Sequence, residues 1–150
     1  MSDWYAHVTV ATVVFAKGRY LMVEERDKTS GLSVFNQPAG HLEANETLRA
    51  AALRETREET GWDVALESVL GLALYTAPGN GTTYYRTTFC ARPLQPLPNA
   101  ALDTDILAVH WLDYEEILAS SARMRSPLVL AAIEQHRGGI QYPLDLISPA

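Results

Sequence analysis

Glu55, Glu58 and Glu59 crowd three carboxylates into five consecutive residues of the 150-residue chain. Written as a helix over 47–59, with ~100° between neighbours, the segment brings all three to one face within about one turn. Three anions that close repel, and they stand toward a helix C-terminus, where the macrodipole already disfavours negative charge. A cation offsets that cost, and hard divalent ions such as Mg²⁺ take oxygen ligands of this kind. A helix would be a rigid rack for such ions, because the backbone sets the relative positions of the carboxylates. The competing reading is an exposed, salt-bridged helix, since Arg54 and Glu58 make an ordinary i,i+4 pair.

The spacing around these acids decides between the two. Gly40, five residues, Glu46, seven residues, Arg54-Glu55, two residues, Glu58-Glu59, one residue, Gly61 fills every fixed position of the Nudix box. Seven fixed positions at ~7% usage each coincide by chance in a chain of this length with odds of roughly 10⁻⁶. The sequence therefore resembles the Nudix hydrolases. The resemblance implies that Glu55, Glu58 and Glu59 are metal ligands, joined by the backbone carbonyl of Gly40, with Glu55 and Glu58 in the catalytic set. It implies Mg²⁺, with Mn²⁺ as the alternative.

Glu46 and Arg54 need a different role. On one helix they would stand two turns, ~12 Å, apart, so Glu46 must reach from the loop or the first turn. In the family the matching residues form a structural ion pair, which the resemblance carries over to Glu46 and Arg54. Many members add an acid from a late loop as general base or further ligand. Asp103 and Asp105 are the candidates here, and Asp105 is preferred by analogy with the acid that precedes such a strand. Thr56 and Trp62 stand where the box usually has an aliphatic residue. Neither is a ligand position, and a Thr hydroxyl can bond the carbonyl one turn back.

Phosphoanhydride hydrolysis needs its repelling charges neutralised, a water placed in line and the leaving oxygen stabilised, all of which Mg²⁺ can supply. Phrases outside the box narrow the resemblance to NudJ-type phosphatases: HVTVA from His7, NQPAGHLE from Asn36, RSPLV from Arg125 and YPLDLI from Tyr142. This implies release of orthophosphate from nucleoside tri- and diphosphates and from thiamine-related pyrophosphates. Phe35 departs from that subfamily, which tends to have tryptophan there. The alternative within the enzyme class is a pyrophosphohydrolase that releases pyrophosphate or a nucleoside monophosphate. A third reading, a non-catalytic nucleotide sensor, is disfavoured because no box glutamate is lost.

For the substrate, Tyr84 and Arg86 fall on one face of an alternating run, where an arginine can grip phosphate bidentately. A cross-strand acid is an equal claimant for Arg86. Asn36 and Gln37 precede the box and are candidates to touch a base or ring, or to cap the local turn. His7 joins them because it opens the first strand, where substrates of the family lie against the sheet. No two of the histidines at 7, 41, 110 and 136 have metal-ligand spacing.

These side chains must be positioned by a scaffold that the pattern outlines. Residues 7–26 read as two β-branched runs around a Lys-Gly turn, a hairpin whose nearly continuous apolar first run predicts a strand covered on both faces. Residues 27–33 form a loop, and 34–39 a short strand with Pro38 near its end. Asn45 is the expected N-cap, with Glu46 in the first turn, and Gly61 the left-handed stop. Residues 64–77 and 82–91 make a second hairpin around Pro78-Gly79-Asn80-Gly81. The prolines at 93, 96 and 98 put 92–103 in a loop. A strand over 106–112, a helix from Tyr114 and a last helix from Pro127 to about His136 complete the chain. The expected fold is α/β (α+β), a mixed sheet between helices in one domain spanning 1–150.

A net charge of -6 and a pI near 5.1 argue against nucleic acid as a partner, since phosphate backbones are bound through Lys and Arg. A small phosphorylated metabolite or nucleotide remains compatible, its charge met by metal ions. No apolar run approaches the ~20 residues of a membrane span, and the start of the chain lacks a secretory signal pattern. A cytoplasmic monomer or small homo-oligomer is expected, with Cys90 a buried strand residue.

Overall fold

The computed structural model of the chain describes residues 3–149. Its strands are β1 (His7–Ala16), β2 (Arg19–Arg26), β3 (Ser33–Asn36), β4 (Ala39–His41), β5 (Trp62–Thr76), β6 (Thr83–Pro96), β7 (Ile106–Leu112) and β8 (Tyr142–Pro143). The helices are α1 (Leu48–Thr60), α2 (Tyr114–Ala119) and α3 (Pro127–Arg137). The main path of the sheet runs β3-β2-β1-β6-β5-β8, with β4 beside β1 and β7 beside β2. This is the expected mixed α+β architecture.

The Lys-Gly turn forms with φ of 53° at Lys17 and 77° at Gly18, the left-handed pair that matches strand twist in a tight hairpin. The hairpin is short. Only Phe15↔Tyr20 and Ala16↔Arg19 pair before the strands part. Further back, β1 runs parallel to β6 from His7↔Tyr84 to Val14↔Ala91 and takes β4 on its other side through Thr9↔His41, Val10↔Gly40 and Ala11↔Ala39. Meanwhile β2 pairs with β3 and β7. The parting leaves β4 in the gap beside β1, and the box begins there.

Four expectations need correction. The strand over 34–39 is two strands, because Gln37 and Pro38 break the run between Asn36 and Ala39. The N-cap of α1 is Thr47, whose side chain accepts from the Ala50 N–H, whereas Asn45 has a left-handed φ of 63°. Glu46 accordingly precedes the helix. Strand β6 continues through Pro93 to Pro96. Its pairing with β1 ends at Ala91, so beyond that point a missing N–H on the open side breaks no ladder bond.

Helix α1 lies directly on the sheet because its contact residues are small. Ala51 and Ala52 are fully buried against Val10, Val69 and Phe89. Thr56 donates its hydroxyl to the Ala52 carbonyl at 2.8 Å, as foreseen. Gly61, at φ 73°, ends the helix, and its N–H bonds the Arg57 carbonyl. Trp62 meets Trp111 edge to face, 5.5 Å between centroids. On the opposite face of the sheet α3 packs Val129, Ala132 and Ile133 into a second cluster with Val13, Leu70 and Cys90. Arg49 of α1 donates to the carbonyls of Leu144 and Ile147 at 2.8 and 2.7 Å, tying the C-terminal segment over the first cluster.

Candidate active site

The site forms where the C-terminal half of α1 passes β4. Ligand oxygens of Glu55, Glu58 and Asp103 lie within 4.8 Å of one another, from half-buried Glu55 to exposed Asp103. Burial and the neighbouring charges of Glu58 and Asp103 push the Glu55 carboxyl above its ordinary range, against the pull of Arg54. Gly40 makes this geometry possible. A Cβ built there would stand 2.2 Å from the Glu55 carboxyl carbon, so no other residue lets that carboxylate lie against the strand.

Arg54 organises the acids. Its guanidinium contacts Glu46 Oε2 at 2.6 Å and Oε1 at 2.9 Å, Glu55 Oε1 at 2.8 Å, Glu58 Oε2 at 3.1 Å and the His41 carbonyl at 3.0 Å. Glu43 adds a looser contact at 3.5 Å. The hydrogen bonds from Arg54 hold the Glu46 carboxyl below its usual range, and those same bonds raise the arginine's own pKa. Glu46 Oε1 also accepts from the Glu43 N–H at 3.1 Å. One residue thus fastens the loop before α1 to the acidic face of the helix.

Glu59 lies apart from the converging oxygens. Only 7% exposed, it accepts the Ala39 N–H at 2.8 Å. Burial, reinforced by Glu25, Glu55 and Asp103 and opposed by the Ala39 bond, pushes its carboxyl up to about 9.

Asp105, the preferred late-loop acid, pairs instead with Lys28 at 3.1 Å and is outside the cluster. Asp103 takes the place expected of it, because its N–H bonds the Glu58 carbonyl at 3.0 Å and so docks the loop on the end of α1. Nothing in the spacing of the two aspartates shows that backbone contact.

Three of the expected substrate contacts are interior. Arg86, Asn36 and Gln37 are 6%, 9% and 0% exposed. Arg86 donates to Asn36 Oδ1 at 3.1 Å and Gln37 Oε1 at 3.2 Å, and Gln37 donates to the Val129 carbonyl at 2.8 Å. Asn36 reaches Glu25 at 3.4 Å, which Arg125 pairs at 3.0 Å. Burial lowers the Arg86 pKa to about 10, partly offset by Glu25 and Glu59. These side chains satisfy one another and lock the link between β3 and β4 to α3. Their polarity suggested ligand contact; the same polarity, once buried, demands internal partners.

His7 and Tyr84 remain at the surface, in a cluster with His41. His7 Nδ1 and His41 Nε2 are 3.2 Å apart, Tyr5 stacks on His7, and Tyr84 meets both imidazoles edge-on. Burial and His7 lower the His41 pKa. His41 follows Gly40 directly on β4, so alternation turns its ring to the face of the sheet opposite the Glu55 carboxylate, and only its backbone carbonyl meets Arg54.

A rack of carboxylates on one helix, pinned by an arginine beside a close-packed glycine, is the Nudix arrangement. The NUDIX domain model matches residues 5–132, and the chain belongs to the Nudix hydrolase family. Among individual relatives, it is 43% identical over 141 residues to Phosphatase NudJ of Escherichia coli K12, covering 94% of this chain and 90% of the relative. The Shigella flexneri protein of the same name matches to the same extent. A solved Nudix hydrolase structure from Nitrosomonas europaea shares 40% identity at a TM-score of 0.94, covering 97% of this chain and 98% of that one. The resemblance to NudJ-type phosphatases carried by the flanking phrases is thereby substantiated. No helix among the described residues is long and apolar enough to cross a membrane.

Proposed function

We propose that the protein is a Mg²⁺-dependent phosphohydrolase that releases orthophosphate from nucleoside tri- and diphosphates and from thiamine-related pyrophosphates. The observation that carries the reading is the convergence of Glu55, Glu58 and Asp103 oxygens within 4.8 Å. All-oxygen donors of this charge suit a hard divalent ion, with Mn²⁺ as an acceptable substitute. Glu55, Glu58 and Asp103 would hold it; the family resemblance would add the Gly40 carbonyl and Glu59, whose carboxylate accepts the Ala39 N–H apart from the cluster. When bound, the ion supplies charge neutralisation at the phosphates and lowers the pKa of water.

The chain's own residues do the rest. Arg54 spreads one positive charge over Glu46, Glu55 and Glu58 and keeps the rack from splaying by repulsion. Exposed Asp103, with one carboxylate oxygen in the cluster, would accept a proton from an attacking water through its other oxygen, the part that the resemblance suggests for Asp105. His7 and Tyr84, half-buried beside His41, are the expected substrate contacts whose rings remain at the surface.

Orthophosphate release from nucleoside and thiamine-type substrates, measured with and without added pyrophosphatase and with Mg²⁺ or chelator, tests the proposal. Direct, chelator-sensitive orthophosphate supports it. Pyrophosphate as the first product overturns it in favour of a pyrophosphohydrolase.

A further inference from the structure

Beyond Val69 the outer edge of β5 has no strand beside it. Strand β8 covers β5 only at Ser68 and Val69, and Gln135 Nε2 donates to the Leu70 carbonyl at 2.5 Å. From Gly71 to Thr76, β5 has β6 on one side and solvent on the other, with Leu72 and Leu74 53% and 65% exposed. The turn fixes which way the backbone points. Ala77 donates to the Thr82 carbonyl at 2.9 Å, so by antiparallel alternation Tyr75 and Ala73 bond β6, while Leu72, Leu74 and Thr76 turn their N–H and C=O groups outward.

An edge of this kind is a template for another strand, and folded chains protect theirs with charges, prolines or bulges. The segment 71–76 has none of these: its register with β6 is regular, it holds no proline, and no charged residue occurs from Ser68 to Tyr85. Its exposed side chains are apolar. Leu74, Tyr85 and Val8 are direct cross-strand partners on β5, β6 and β1, 65%, 39% and 39% exposed. An apolar row on the α1 face of the sheet therefore runs up to the open edge.

We infer that this edge pairs with the same edge of a second copy of the chain, antiparallel about a two-fold axis through Leu74. Two observations select a second copy over a foreign strand. The first is self-complementarity. Leu74 opposes its own counterpart, Leu72 opposes Thr76 and Ala73 opposes Tyr75, so every outward-facing residue of the segment enters the ladder, with about six bonds in all. The ladder ends at Leu72, short of the Leu70 carbonyl that Gln135 occupies. The second is charge. At a net charge of -6 two copies repel where their acids meet, and the uncharged stretch 68–85 brings none together. The apolar rows of the two copies then join into one strip across the axis. Strand β4 lies beyond β6 and β1 from this edge, so the acids stay clear of the interface.

Sedimentation velocity of the whole chain over a range of micromolar concentrations tests the pairing, and a dimer is expected. Leu74→Lys sets two ammonium groups at the axis, and Leu74→Pro removes an N–H that bonds nothing within the chain. Each should raise the dimer Kd about 10²-fold or more, with circular dichroism unchanged because Leu74 is exposed. Leu94→Lys, a change at a similarly exposed leucine of β6, should leave the dimer intact. Oxidation of Leu74→Cys should cross-link two chains, since a hydrogen-bonded pair sets its Cα atoms about 5.5 Å apart, within disulfide range. Leu94→Cys should stay uncross-linked. A monomeric wild type, a dimer that survives both Leu74→Lys and Leu74→Pro, or cross-linking equal at the two cysteine positions overturns the pairing.

Discussion

Gly40 and Glu55 are in contact so close that the smallest side chain at position 40 would stand 2.2 Å from the Glu55 carboxyl carbon. The clash falls on the far end of a flexible side chain, so Gly40→Ala moves the carboxylate and spares the fold. Orthophosphate release should fall by about 10²-fold, the scale of a misplaced catalytic group, with more Mg²⁺ needed for half-activity. The thermal midpoint should shift by only a few degrees. Collapse of the fold with no soluble protein would show that Gly40 serves packing.

Asp103 and Asp105 separate by role. Asp103→Asn should lower kcat by about 10²-fold or more, as loss of a positioned proton acceptor does, whereas Asp105→Asn removes only an exposed bridge to Lys28 and should leave kcat within about twofold. Parallel kinetics on the two variants decide the matter, and the reverse ranking would restore Asp105.

Glu46 and Arg54 meet at 2.6 Å with little exposure on either side, 13% and 19%. Arg54→Met strands three carboxylates and should cost about 3 kcal/mol in urea unfolding. Glu46→Gln keeps the shape and should cost about 1 kcal/mol. Equal costs would mean that the pair's charge contributes nothing.

The pH dependence follows from Glu59. Its folded pKa, about 9, lies above the unfolded value, so between the two the folded state holds a proton that the unfolded state has lost. The associated stability is complete below the unfolded pKa and is lost as pH rises through the folded one. Glu55, also raised, acts in the same direction. In chelator, thermal stability should therefore decline from about pH 5 to 9, by at most about 1.4 kcal/mol per pH unit for each group. Glu59→Gln should flatten the decline, and Mg²⁺, by favouring the ionised carboxylates, should oppose it. A slope untouched by Glu59→Gln would place its origin elsewhere.

What the sequence determined by itself was local or carried by spacing. The i,i+3 and i,i+4 separations of Glu55, Glu58 and Glu59 are properties of a helix, and Gly61 and the Lys17-Gly18 turn are dictated by backbone sterics. Tertiary structure decided which polar groups face water and which face each other. Arg86, Asn36 and Gln37 read in the sequence as polar groups free to meet a ligand; where β1 pairs with β6 and α3 packs alongside, burial obliges each to take an internal partner. Asp103 rather than Asp105 joins the acids because a backbone bond to Glu58 docks that loop on α1. The meeting of His7 with Tyr84 depends on the parallel pairing of β1 with β6, a register set by contacts between residues more than seventy positions apart.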